Sequence, residues 1–308
     1  MGVQDWLVLG YHTLLVLAVL FAERVAGWSR ALGDVTVLWF IFVGTMVLVR
    51  GRYLSARAEG ILYRFVLIGT VETSYFMFRR VLPIVNSTAL DNSLFHADLK
   101  LFGIEPAMAV QPYISPTLTE WFSFFYFGYF FLLSAHVLPI VFGSRDRAAQ
   151  HEFTFGLLLT FCVGHSLYMM VPGFGPGVAM PEAFSAPLPR GPWFDTMLNT
   201  VEQGGAQKDI FPSIHTAVPT YLTLWSFRHR RRLPYRYTWP FVTFFSLNII
   251  LATMYLRWHY LIDVVAGFTL GTLALLLAIP VTRHELARRR EGNIRPVWPD
   301  YPFFPADR

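Results

Sequence analysis

Arg257, His259 and Asp263 interrupt an otherwise apolar stretch, MYLRWHYLIDVVAGF, running from Met254 to Phe268. Ionisable side chains inside a membrane-length run are costly and are kept where they have work to do. The i, i+4 spacing predicts His259 and Asp263 as neighbours on one helix face. A carboxylate that accepts the Nδ1–H of an imidazole fixes the tautomer and leaves Nε2 bare. No serine is evident for this imidazole to activate, so His259 is expected to be a nucleophile itself. Arg257 offers a forked, permanently charged donor for phosphoryl oxygens.

A second stretch, QKDIFPSIHTA from Gln207 to Ala217, complements the first. Pro-Ser ahead of a helical run is a helix start, with Ser213 the expected N-cap. The first amides of such a helix lack intrahelical partners and lie at the positive end of its dipole, so they can hold a phosphate. Lys208 adds a full positive charge, and His215 in the first turn is placed to give a proton to the group leaving that phosphate. Two histidines, one oriented by a carboxylate, with Lys and Arg alongside, suit in-line phosphoryl transfer through a phosphohistidine. A metal site is the competing reading, with His259 and Asp263 chelating and His215 as third ligand. Lys208 and Arg257 would repel a dication, and with Ser213 they are anion ligands, so no metal and no other cofactor is expected.

The elements that must position these residues are membrane helices. The chain is 54% hydrophobic and 15% charged, with mean hydropathy +0.44, values a soluble domain rarely reaches because it must cover its surface with polar groups. About eight spans are predicted, at roughly 6–27, 33–50, 58–79, 118–143, 152–172, 214–229, 237–257 and 259–281. The sixth is short enough to be a core segment, and the last two form a hairpin with a tight turn. The first has no basic leader and no cleavage signal, and reads as a retained span. The single cysteine, Cys162, excludes a disulfide framework.

Two long connections rich in Pro and Gly, about 80–117 and 173–213, read as functional loops. Arg50, Arg52 and Arg57, then Arg145 and Arg147, then RHRRRLPYR from Arg228, then RHELARRR from Arg283 all fall on alternate connections. The positive-inside rule makes that side cytoplasmic, with both termini, and puts the long loops and the 257–259 turn outside. The net charge of +5 is thus accounted for by anchoring and calls for no nucleic-acid partner. The tail from Arg288 is expected at the membrane surface. His136 and His165 read as packed or hydrogen-bonded, while His12, His96 and the histidines of basic loops read as surface residues. Arg79 and Arg80 are read as interfacial anchors or a further phosphate contact, with Glu72 a partner for either. WFSFFYFGYFF reads as lipid-facing or core packing.

At PSIH and HYLID the chain resembles the type-2 phosphatidic acid phosphatase (PAP2) superfamily, whose motifs are P-S-x-H and H-x-x-x-D. DLKLFGIEP (Asp98 to Pro106), YMMVPGFGP (Tyr168 to Pro176) and YLRWHYLIDVVAG (Tyr255 to Gly267) resemble the branch of inositol phosphorylceramide synthases. The likeness covers roughly residues 60–280. It implies an all-α integral membrane fold, a bundle of about eight helices with a PAP2-like six-helix core. It also implies three parts: extra N-terminal helices over 1–57, a catalytic membrane domain over 58–282 and a basic, proline-rich tail over 283–308. By the resemblance, His259 attacks phosphorus, Asp263 orients it, His215 protonates the leaving alkoxide, and no metal is needed. Two features depart from the family. The Lys-x6-Arg-Pro motif is absent, and Thr253 stands where the last motif carries arginine. Arg257, one turn along from Thr253, is expected to replace that arginine.

These residues leave three activities: head-group transfer between a phospholipid and a second lipid or polyol acceptor, hydrolysis of a lipid phosphate or polyprenyl diphosphate, and transport or scrambling without chemistry. The intact His/His/Asp set argues against transport. The long loops and the synthase likeness favour transfer, in a multi-pass protein of the cell membrane acting at its extracytoplasmic face.

Overall fold

The computed structural model describes residues 1–299, and these are helical throughout, with no strand among them. In chain order the helices are α1 (Val3–Leu20), α2 (Trp28–Gly51), α3 (Ala56–Val85), α4 (Asp91–Phe102), α5 (Pro106–Ala109), α6 (Pro116–Val137), α7 (Arg147–Met170), α8 (Pro176–Ala179), α9 (Pro192–Gly204), α10 (Ile214–Arg228), α11 (Tyr235–Tyr255) and α12 (Leu261–Glu291). A π-helical turn, Leu138–Phe142, continues α6 where Pro139 cannot donate its amide.

Seven of these helices, α1, α2, α3, α6, α7, α11 and α12, are long and apolar enough to cross a membrane, so this is a multi-pass membrane protein. The predicted sixth span is α10, which has 15 residues. At 1.5 Å per residue it is about 22 Å long, short of a hydrocarbon core of about 30 Å. It is a core helix.

The two long connections are less open than their Pro and Gly content suggests. The first folds into α4 and α5, and the second into α8 and α9. On α4 the buried residues are Asp91, Leu94 and Asp98, a helical face that is mostly acidic. On α9, Phe194 and Met197 pack with Tyr126, Ala252, Tyr255 and Leu256.

The chain forms two compact units. One contains Met1–Val85, Ala135–Ser166 and the residues from Leu273 onward. Its buried Asp5 carboxylate accepts from Arg50 Nε at 2.9 Å, Arg50 Nη2 at 2.6 Å and Tyr63 Oη at 2.7 Å. Both oxygens of this buried carboxylate are thus hydrogen-bonded. Arg50 Nη1 donates to the Val297 carbonyl at 2.8 Å, and the Arg64 guanidinium lies 5.3 Å over the Trp298 ring. The segment up to Pro299 is therefore folded onto this unit; the remainder of the tail, 300–308, lies outside the described residues. His12, expected at the surface, is buried, with Nε2 3.0 Å from Thr70 Oγ1 and its ring against Phe42. His165 is buried as expected, 3.3 Å from Tyr11 Oη. Arg80 pairs with Asp34 at 3.1 Å.

The other unit comprises Asn86–Ser134 and Leu167–Thr272, and holds Lys208, Ser213, His215, Arg257, His259 and Asp263; Arg79 and Arg80 lie in the first.

Candidate functional site

The site begins with the packing of α10 against the start of α12. Asp263, Gly267 and Gly271 recur at intervals of four, which aligns them on one face of α12. A Cβ on Gly267 would collide with the Ser213 carbonyl oxygen, and one on Gly271 with that of Ala217. The absent side chains let the two backbones touch, as small residues do between membrane helices. In consequence the Ser213 amide donates to the Asp263 carbonyl oxygen at 3.0 Å. The PSIH and HYLID stretches are thereby joined main chain to main chain.

Between α11 and α12 lies a turn that departs from the expected continuous helix face. The Thr253 carbonyl accepts both the Trp258 amide at 2.9 Å and the His259 amide at 3.1 Å. Arg257 takes a left-handed backbone with φ of 65°, so it does not continue the face of Thr253 as predicted. Helix α12 starts only at Leu261, and His259 precedes it rather than riding on it. The pairing with Asp263 survives: Nδ1 of His259 lies 3.5 Å from Oδ2 of Asp263. That oxygen also accepts the Tyr260 amide at 2.9 Å, while Oδ1 has no partner. At 3.5 Å the two groups are in close contact, a few tenths of an ångström from a full hydrogen bond.

Two carboxylates from α4 brace this turn, and neither was assigned a role from sequence. Asp98, wholly buried, accepts Leu261 N at 2.6 Å on one oxygen and Ile262 N at 2.8 Å on the other. It thus caps the first turn of α12 from another element and places a negative charge at the positive end of the helix. Burial raises its pKa, and the two backbone hydrogen bonds pull the other way. Asp91 accepts the amides of Phe174 at 3.0 Å and Gly175 at 2.8 Å, and the Tyr260 hydroxyl at 3.3 Å. Gly175 has φ of 89°, and a Cβ there would strike the Trp258 carbonyl. Gly177 N in turn donates to Arg257 O at 2.9 Å. The loop before α8 is in this way fastened to α4 on one side and to the Arg257 turn on the other.

Ser213 is the N-cap of α10 by position, but its hydroxyl does not close the helix end; it accepts from Thr216 Oγ1 at 3.2 Å. His215, in the first turn, stacks on Tyr126 at 4.3 Å and 13° and lies 4.5 Å from the Tyr129 ring. Both tyrosines are core packing, as the phenylalanine-rich stretch was read, and what they pack is the imidazole. Nε2 of His215 is buried with no hydrogen-bond partner. Lys208 turns its ammonium to the carbonyls of Ser87 and Thr88, both at 2.9 Å, and lies 5.4 Å over the Phe174 ring. Burial lowers its pKa, with Asp91 offsetting part of the effect. Arg257 is mostly buried, its guanidinium 4.0 Å over the Phe184 ring.

Of the six residues named from sequence, Ser213, His215, His259, Asp263 and Arg257 thus sit on two abutting helix starts and the turn between α11 and α12. Lys208 is held by the 87–88 carbonyls. Asp98 stood in the quoted DLKLFGIEP stretch, the one sequence signal that pointed to it. Trp258 stood in YLRWHYLIDVVAG and Tyr126 in WFSFFYFGYFF without a role assigned to either, and Asp91 stood in no quoted stretch. Chemically, the arrangement offers an oriented imidazole, a second imidazole with an unused nitrogen, a guanidinium, and the free amides that open α10.

A protein-family model described as "PAP2 superfamily" matches residues 93–277, more than half of the chain. No curated protein and no solved structure matches the chain.

Proposed function

Because the chain belongs to the PAP2 superfamily, we propose that it is a membrane phosphotransferase working on a lipid phosphate or phospholipid head group through a phosphohistidine on His259. Superfamily membership supports lipid phosphatase or phosphotransferase activity, and the finer reading rests on the site. In the first step Nε2 of His259 attacks phosphorus in line, with Asp263 holding Nδ1–H. The P–O bond to the leaving alkoxide breaks, and His215 supplies the proton that the alkoxide takes up. In the second step an acceptor hydroxyl attacks the phosphohistidine and passes its proton back to His215. The P–N bond breaks and neutral His259 returns. Arg257 and the first amides of α10 meet the phosphoryl oxygens, where negative charge develops.

The observation that carries this reading is the double role of Asp263. Its side chain lies 3.5 Å from the His259 imidazole, and its carbonyl oxygen binds the residue two places before His215. One residue therefore sets the positions of both histidines.

Transfer and hydrolysis differ only in which hydroxyl reaches the intermediate. The near-complete burial of His259, 5% exposed, supports a lipid or polyol acceptor over bulk water. Purified protein incubated with mixed labelled phospholipids decides between them. Label in a new lipid supports transfer, label in free phosphate supports the phosphatase, and label left in the donor in every mixture overturns the phosphohistidine reading. The same assay is expected to persist in a strong chelator and to stop with vanadate; loss on chelation with recovery on zinc would replace the phosphohistidine by a metal site.

A further inference from the structure

Beside the Arg257 turn lies a cleft of about 520 Å³, walled by the 177–190 segment, α9 and residues 256–258. That is in the range of small-molecule sites, about 300–1,000 Å³, and leaves room for a head group together with part of a chain. Its lining is part apolar and part polar. Phe184, Leu188, Phe194 and Leu198 supply an apolar wall, and Arg257 and Trp258 supply donors.

Those donors are unmet. Arg257 is 8% exposed, yet its Nε has no partner, and Nε1 of Trp258 is likewise buried without one. Guanidinium and indole groups only donate, so what these two atoms lack is an acceptor. No carboxylate among the described residues pairs with Arg257, whereas Arg190 at the rim is matched by Asp195 at 2.6 Å. Burial lowers the pKa of Arg257, with Tyr255 offsetting part of the effect. A non-glycine residue at φ of 65° is an uncommon conformation, and the bond from Gly177 N fixes it here. The guanidinium lies over Phe184 with donor capacity in reserve. The same turn carries His259, and the Trp258 ring neighbours Tyr126, which stacks on His215.

We propose that this cleft binds a phosphate-bearing amphiphile. Arg257 and Trp258 donate to head-group oxygens, and Phe184, Leu188, Phe194 and Leu198 cover the adjoining chain, which makes the 177–198 segment the selector of lipid structure. The proposal rests on the phosphotransfer reading for which amphiphile is turned over, but not for the binding itself.

Binding of labelled octylphosphonate and methylphosphonate to the purified full chain in one detergent tests it without turnover, since the P–C bond is inert. Octylphosphonate is expected to bind at least tenfold tighter than methylphosphonate. Leu198→Trp, filling the cleft from α9, should weaken octylphosphonate tenfold or more and leave methylphosphonate within twofold. Ala186→Trp fills it from an exposed position that bears no packing, and should do the same should Leu198→Trp fail to fold. Arg257→Ala should weaken both ligands. Equal affinity for the two phosphonates means that a free phosphate group is all the site recognises, and overturns the proposal. So does octylphosphonate binding that neither cleft-filling variant disturbs. A chain that binds octylphosphonate in this cleft-dependent way but turns over no lipid phosphate would sink the phosphotransfer reading and leave the cleft assignment standing.

Discussion

The Ser213 amide donates to the Asp263 carbonyl oxygen at 3.0 Å, and this bond between main chains fixes the distance between the two histidine-bearing stretches. It exists because α12 presents glycine, not a side chain, to the start of α10.

Gly267→Ala should therefore be costly out of proportion to one methyl group. The new Cβ meets the Ser213 carbonyl and Thr216, backbone and a packed side chain that cannot swing away. Overpacking of this kind costs about 1–3 kcal/mol. Thermal unfolding in detergent should fall, and the remaining folded protein should turn over more slowly. A methyl group added at Gly69, in α3, would meet nothing within 4 Å, so Gly69→Ala is the control and should be neutral or slightly stabilising. Equal behaviour of the two variants would remove the seam from the account.

His259→Ala and His215→Ala should each abolish turnover of labelled lipid while the protein stays folded in the membrane. A general acid typically contributes about 10²–10⁴-fold, and loss of the nucleophile removes the covalent route altogether. Asp263→Asn keeps the shape of the side chain but can present an amide to Nδ1, so it should lose much activity without losing all of it. Near-normal turnover in either alanine variant would take that histidine out of the mechanism.

Asp98→Ala leaves the amides of Leu261 and Ile262 unanswered at a buried helix start, at a cost of about 1–3 kcal/mol for each unsatisfied group. Asp98→Asn keeps one acceptor oxygen and should lose less. Because Asp98 holds the turn behind His259, both variants should lower kcat more than they raise KM. A fall in melting temperature with kcat of the folded fraction intact would make Asp98 a structural cap only.

Orientation is tested with introduced cysteines, since the native Cys162 is buried and gives little background. In intact cells an impermeant thiol reagent should label Ser185→Cys, an exposed position in the segment before α9. It should not label Arg231→Cys, exposed in the basic connection between α10 and α11. The reverse pattern would put the site on the cytoplasmic leaflet and change the candidate lipids accordingly.

What the sequence by itself determined is whatever can be stated over a few neighbouring residues. Apolar runs long enough to span, the arginine asymmetry, the i, i+4 pairing of His259 with Asp263 and the helix start at Ser213 are all local patterns. Each appears in the structure except the arginine asymmetry, whose sidedness awaits the cysteine test, and the sixth span, where α10, at 15 residues, is not among the seven candidates. Tertiary structure decided where the charges go. Lys208 reads from sequence as a cation ahead of α10, and the structure turns its ammonium to the carbonyls of Ser87 and Thr88, some 120 residues away. Asp98 has no role assigned from sequence, and the structure has it capping α12 across 163 residues. The physical reason is common to both. Their partners are main-chain groups, which nearly every residue carries, so no residue type marks the place where such a bond will form.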